Sequence, residues 1–381
     1  MLPSYLDHNA ATPLDERVLA AMFPYFREHF GNPSSRHEYG REARRAVDLA
    51  REQVAAAVGA HPSQVIFTSG GSEANNLAIR GVAAYLPKTQ VAVSAIEHPC
   101  VMKPAQELHR QGWALRKVAV MSDGSVDVRD LENALRAPTG LVAVMLANNE
   151  TGVLQDVAKL SEISHNRGAL LHTDAVQALG KIPVNFAALA VDMLSLSAHK
   201  AYGPKGVGAL VVGANVELQP LIVGGGHEKG LRAGTENVPG IVGFGVACEL
   251  AAARVADFAE RVGALRDELE RGLSALGATL FGADAQRLPN TGFFAFNGIT
   301  GETLVMALDR AGFAVASGAA CSSGSAQASA TLLAMGVSDE LGRGAVRVSL
   351  GKDTTSVQVQ AFLHALQGEV ARLRGLAAMA V

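Results

Sequence analysis

Cysteine is scarce in this sequence. Only Cys100, Cys248 and Cys321 occur among 381 residues. An odd number of widely separated thiols argues against a disulfide framework, and no two of them share metal-ligand spacing, so no metal site is expected. Charge of one sign is also lacking: 33 Lys and Arg face 36 Asp and Glu, a net charge of −3. That leaves no basic surface for nucleic acid, and no nucleic-acid partner is expected. No unbroken apolar run approaches the roughly 18 residues of a membrane span, so no membrane partner is expected either. The opening MLPSYLDHNAATPLDER has no basic start followed by an apolar stretch, the mark of a secretory leader. The expectation from these absences is a cytoplasmic protein with its thiols kept reduced.

What is present is core material: hydrophobic residues make up 49% and charged residues 18%. The length implies two domains. From about residue 60 to residue 215, short apolar runs alternate with amphipathic helical stretches. QVIFT (64–68), VAVSA (91–95), LVAVML (141–146), ALLHTD (169–174), DMLSLS (192–197) and GALVV (208–212) read as strands. Runs that are apolar on consecutive residues fit strands covered on both faces, hence an α/β fold with a mostly parallel sheet. After Gly240 the pattern changes to one long helical stretch over 243–276. TGFFAF (291–296), a helix near 301–312, AVRVSL (345–350) and a final helix over about 355–374 follow, a small α+β unit. The large domain is expected over 16–245 and the small one over 246–381, with residues 1–15 packing nearby.

Three segments carry a consistent chemistry. In SAHKAYGPKGVG (197–208), Lys200 stands at a strand end between His199 and a Gly-Pro turn. It reads as an amine that condenses with an aldehyde cofactor, although one isolated lysine would read as a solvated loop residue. In HTDAVQ (172–177), Asp174 ends a strand, where α/β folds bind ligands. Pyridoxal 5′-phosphate (PLP) needs an anion beside its pyridine nitrogen to act as an electron sink, and Asp174 can supply one. Taken alone, Asp174 reads as a helix cap. In FTSGGSEANNLAI (67–79), glycines and Ser72 precede a helix whose first N–H groups can receive phosphate. The absence of GxxxxGK[ST] argues against a nucleotide. EHP (97–99) and NNE (148–150) follow two further strands, so His98 could stack on the ring and Asn149 could donate to its phenolic oxygen. Finally, ASGAACSSGSA (316–326) sets Cys321 among small residues, the context of a mobile segment with a reactive thiol rather than a packed one.

These motifs, with LDHNAATP, FGNPSSRHEYG, GGGHEKGLRAGTEN and VRVSLG in the same order, resemble the cysteine desulfurases of the class-V aminotransferase-like group of fold-type I PLP enzymes. The resemblance runs nearly end to end. It implies a large domain with a mostly parallel seven-stranded sheet and a small α+β C-terminal domain. It also implies that Lys200 holds PLP, Asp174 pairs with the pyridine nitrogen and His98 stacks on the ring. Gln177 and Asn149 would lie near the phenolic oxygen, and Gly71, Ser72, Ser197 and His199 at the phosphate. Thr235 would reach the phosphate of a second subunit, making a homodimer. Arg347 would bind the carboxylate of L-cysteine, with Asn149 beside it, and Cys321 would carry a persulfide to an acceptor protein, such as an iron–sulfur scaffold. A selenocysteine lyase or another class-V enzyme is the nearest alternative, and a silent partner-binding scaffold the alternative of another kind. Three departures stand out: Ala11 where Thr is common, Ala198 where Gly is common, and AQAS (326–329) in place of Leu-Glu-Pro-Ser.

Overall fold

The computed structural model describes residues 4–318 and 327–379. Its centre is a seven-stranded sheet. The order across it is Val65–Thr68, Gly208–Val212, Met193–Ser197, Leu170–Asp174, Thr139–Ala143, Gln90–Ser94, Ala114–Val118. Gly208–Val212 runs antiparallel to both neighbours, and the other pairs are parallel. Helices cover both faces, which is why Val65–Thr68, Met193–Ser197 and Gly208–Val212 are buried at every position. Ala114–Val118 is the exception and was not legible as a strand. It lies at the sheet edge with Ala114, Arg116 and Lys117 exposed, so its sequence ALRKV carries no two-sided apolar run.

The helix Glu38–Ala57 lays Ala43, Ala46, Val47, Ala50 and Val54 against this core. Its main partner is Val238–Ala275, a helix of 38 residues and so about 57 Å long. By length and composition alone this helix could cross a membrane. Here it is a core helix: Ile241, Phe244, Cys248 and Ala251 pack on the large sheet, and Phe258, Val262, Leu265, Leu269 and Leu273 pack on a second core. It begins five residues before the stretch expected from sequence. Asn237 accepts from Gly240 N as its cap and Pro239 sits in the first turn. The two helices cross so closely that a β-carbon on Gly245 would lie 2.7 Å from Ala50 Cα.

The second core belongs to a four-stranded sheet, ordered Ala316–Ser317, Val346–Ser349, Thr291–Ala295, Thr279–Leu280 and antiparallel throughout. The N-terminal segment joins the two halves. Ser4–Tyr5 pairs with Phe313–Ala314, and His8 N donates to Ser349 O at 3.1 Å. Thr12 then donates through its backbone N–H to His199 O at 2.9 Å.

Candidate active site

The C-terminal ends of the parallel strands open into a cavity of about 620 Å³. Asp174 ends one strand, Ser197 ends the next, and His98 and Asn149 follow shortly after two others. Lys200 lies one turn past Ser197. Gly71 and Ser72 open the short helix Gly71–Asn76. These residues, with Gln177, His199 and Arg347, all line the cavity. The strand-end reading therefore brings ten of the expected residues to one place. Thr235 is not among the lining residues; it is exposed on the loop between Gly224 and Asn237. Cys321 lies outside the described residues. The strand Ala316–Ser317 before it pairs with the strand of Arg347, and Gly318 N donates to Ala345 O at 2.9 Å. Beyond it, Ser329 of AQAS and Thr331 both donate to the carboxylate of Glu150, the neighbour of Asn149.

Asp174 accepts from Val176 N at 2.9 Å and from Asn75 Nδ2 at 2.7 Å. The backbone contact is the cap-like bond expected of a strand-end Asp, yet residues 175–179 form turns rather than a helix. Burial pushes its pKa up, and no salt bridge satisfies the carboxylate among the described residues. A cationic ligand atom would supply what is missing. Lys200 Nζ donates to Ala10 O at 2.7 Å and to Asn9 O, two carbonyls of the N-terminal segment. Burial, then the nearby Arg347, lowers its pKa to about 8, partly offset by Asp7 and Asp174. A neutral amine at that point is a competent nucleophile and base.

His98 caps the helix Pro99–Arg110. Its Nδ1 takes Cys100 N–H at 3.2 Å and lies 2.7 Å from Cys100 Sγ. The histidine lines the cavity, where burial lowers its pKa, partly offset by Asp174. Burial, followed by the field of Asp174, pushes the Cys100 thiol up to about 12. Cys248 is buried in the long helix. On the opposite wall, Ser197 Oγ and His199 Nδ1 stand 2.9 Å apart. A β-carbon on Gly71 would meet Val176 Cγ2 at 2.7 Å, so only glycine lets the backbone sit there. Gln177 Nε2 donates to Asn9 O at 3.0 Å. Arg347 is held by Asp7 at 2.7 Å and by Asn149 O at 2.8 Å, while its buried Nε has no partner.

Four contributors escaped the sequence reading: Asn9, Asn75, Glu97 and Lys205. Asn9 and Asn75 touch the expected residues directly, and Lys205 lines the cavity beside the phosphate-side residues. Glu97 accepts from Ser94 Oγ at 2.5 Å and Met145 N at 2.7 Å, tying two strand ends together below His98. Burial raises its pKa to about 8, against the lowering effect of those two hydrogen bonds. Glu97 follows a strand end, which was the available signal for it, whereas Asn75 sits inside the helix Gly71–Asn76 of the glycine-serine motif.

The aminotransferase class-V family profile matches residues 4–362. Cysteine desulfurase 2 of Trichormus variabilis (strain ATCC 29413 / PCC 7937) is 44% identical over 375 residues, covering 98% of this chain and 94% of that protein. A solved NifS-like protein superposes with a TM-score of 0.92 at 38% identity, covering 97% of this chain and 100% of that one. A structure of SspA in complex with cysteine superposes at 0.81 with 34% identity, covering 91% and 98%.

Proposed function

We propose a function from one premise, that this chain belongs to the class-V aminotransferase family: it is a cysteine desulfurase that uses PLP. The observation that carries the reading is the meeting of Lys200, Asp174, His98 and Arg347 around one cavity. The residues fit the cofactor. An unpaired buried carboxylate awaits a pyridinium nitrogen, a glycine-lined turn with Ser72, Ser197 and His199 suits a phosphate, and a buried lysine amine with a lowered pKa suits an aldehyde. Bound there, PLP would supply an electron sink for charge at the substrate's α-carbon.

The chain's own residues do the rest. Arg347 meets the carboxylate of L-cysteine, because a planar guanidinium matches it edge to edge and Nε still has a hydrogen to give. Asp174 would keep the ring nitrogen protonated by charge, and His98 would lie against the ring and exclude water. Lys200 takes the α-proton and returns a proton to the carbon skeleton as alanine forms. The Cys321 thiolate attacks the substrate sulfur; the carbon–sulfur bond breaks as the sulfur–sulfur bond forms. Overall, L-cysteine and the Cys321 thiol become L-alanine and a Cys321 persulfide. An acceptor protein then takes the sulfur. Thr235, exposed on its loop, completes the phosphate site of a second copy in a homodimer.

The test is product analysis. Purified protein with PLP and L-cysteine should release alanine, and sulfide in matching amount when dithiothreitol is present. Amino transfer to a keto acid without alanine or sulfide would sink this reading in favour of a transaminase.

A further inference from the structure

Lys181 is a buried charge behind the lining residue Gln177, and the mechanism above leaves it unused. It is 4% exposed, and no carboxylate lies within ion-pair distance of its amine among the described residues. Nζ donates instead to Asn9 Oδ1 at 2.8 Å and to Gln177 Oε1 at 2.7 Å. Burial, with Lys200 and Arg347 close by, drives its pKa well below the ordinary lysine value. An amine kept in so unfavourable a place needs a reason.

The hydrogen-bond directions supply one, because carbonyl oxygens accept and never donate. Leu350 O forces Asn290 to present Nδ2, at 3.1 Å, and the same Nδ2 donates to Asn9 Oδ1 at 3.0 Å. Asn9 therefore turns its own Nδ2 away, to Thr291 Oγ1 at 2.9 Å and Asn149 O at 3.3 Å. Lys181 meets the oxygen of Asn9 and gives its other hydrogen to Gln177 Oε1. That contact, with Asn9 O accepting from Gln177 Nε2, allows the Gln177 amide one orientation. One Nε2 hydrogen is used by Asn9 O. The other remains for the cavity, which Gln177 lines.

We propose that Lys181 is a positioning residue: by donating to Gln177 Oε1 it holds the amide nitrogen toward the cavity and makes Gln177 an obligate donor to the phenolic oxygen of the bound ring. The proposal rests on the PLP reading above. A fixed donor favours the ionised oxygen, so its loss raises the pH at which that oxygen ionises. The other charged or titratable groups around the cavity, Lys200, Asp174, His98, His199, Glu73, Lys205, and Arg347 with its partner Asp7, remain in place in each variant, and Lys181→Gln separates loss of the Lys181 charge from loss of its hydrogen bond.

The experiment is a double-mutant cycle read by the pH midpoint of the visible absorbance of the PLP-loaded protein. Gln177→Ala should move the midpoint up by about one unit, the worth of one net hydrogen bond. Lys181→Met should move it by a similar amount, and the double variant no further than either. An unmoved midpoint in Lys181→Met or in Gln177→Ala overturns the proposal, as do additive shifts. If Lys181→Met does not fold, Lys181→Gln keeps a donor without the charge. It should stay within about 0.3 unit of the parent, and a shift equal to that of Gln177→Ala overturns the proposal. Failure of the parent protein to develop any visible absorbance with PLP is separate, and overturns the cofactor reading itself.

Discussion

The carboxylate of Glu228 is the most consequential single contact beneath the phosphate-side turn, and removing it is the sharpest test of how that turn is built. Glu228 and Arg51 are 6% and 9% exposed and form a bidentate pair at 2.7 and 2.8 Å. Glu228 Oε2 also accepts from Phe67 N at 2.8 Å, and Arg51 donates to Val65 O at 2.8 Å. Two groups of the edge strand that no neighbouring strand reaches are thus satisfied by one ion pair. The guanidinium lies 4.8 Å from the centroid of the Phe67 ring. Glu228→Ala would leave a buried guanidinium unpaired, which costs about 3–5 kcal/mol. The orphaned, buried Phe67 N–H adds about 1–3 kcal/mol. Glu228 also has φ of 45°, a left-handed conformation. Glu228→Gly relieves about 1 kcal/mol of that strain and should be correspondingly less harmful than the alanine variant. Urea denaturation of each variant measures the loss. Gel filtration of the PLP-loaded protein measures retention, which should fall because Val65–Thr68 runs directly into Ser69, Gly70 and Gly71. Arg51→Met with Glu228→Met should recover most of the stability, since no charge is then left buried. A loss below about 1 kcal/mol in Glu228→Ala would refute the reasoning, because Arg51 would then have been solvated all along.

Three further outcomes follow from the site. Asp174→Asn should fold, yet lose most turnover, about a hundredfold or more, since an amide cannot hold a ring proton by charge; parental turnover would reduce Asp174 to a turn cap. Covalent uptake of PLP by the cofactor-free protein should rise with pH and level off above about 8, as Lys200 loses its proton and becomes nucleophilic; a rate flat across that range would contradict the lowered amine pKa. With radiolabelled-sulfur cysteine, dithiothreitol-releasable label should vanish in Cys321→Ser and persist in Cys100→Ser, whose thiol stays protonated to about 12 and is a poor nucleophile; label lost only in Cys100→Ser would reverse the assignment.

The large sheet was legible where its strands are buried on both faces, because there the apolar pattern is forced by the fold. It was illegible at Ala114–Val118, where the edge exposes half the residues. The start of the long helix was misplaced for a similar reason. VPGIV (238–242), ahead of the expected start, carries Pro239 and Gly240, which the first turn of a helix tolerates, and Gly245 farther on is there because Ala50 leaves no room for a β-carbon. The site divides along the same line. Lys200, Asp174, His98 and Asn149 were readable because strand ends are where an α/β sheet presents side chains. Lys181 was not, because nothing in QALGK distinguishes a buried amine from a solvated one. Asn9 was not, because its partners Gln177, Asn290 and Thr291 are brought to it only by the closing of one sheet against the other.

That closing sets the spacing on which the chemistry depends. Lys200 comes from the seven-stranded sheet and Arg347 from the four-stranded one, and their relative position could in principle follow from sheet packing alone. Instead both are held by neighbouring residues of the N-terminal segment. Asn9 O and Ala10 O take the Lys200 amine, and Asp7 takes the Arg347 guanidinium. The segment is fastened in turn to the small sheet by Asn9 N on Ser349 Oγ at 2.9 Å, and to the large half by Thr12 on His199 O. The distance between the Lys200 amine and the Arg347 guanidinium is therefore tied to four consecutive residues, Asp7 to Ala10. One of the four, Asp7, also balances the charges. Arg347 lowers the pKa of Lys200 and Asp7 raises it, so the carboxylate that aims the arginine also moderates the arginine's effect on the lysine. In the proposed mechanism a substrate carboxylate at Arg347 would add a second negative charge there, which would favour a proton on Lys200 at the moment the amine is needed as its acceptor.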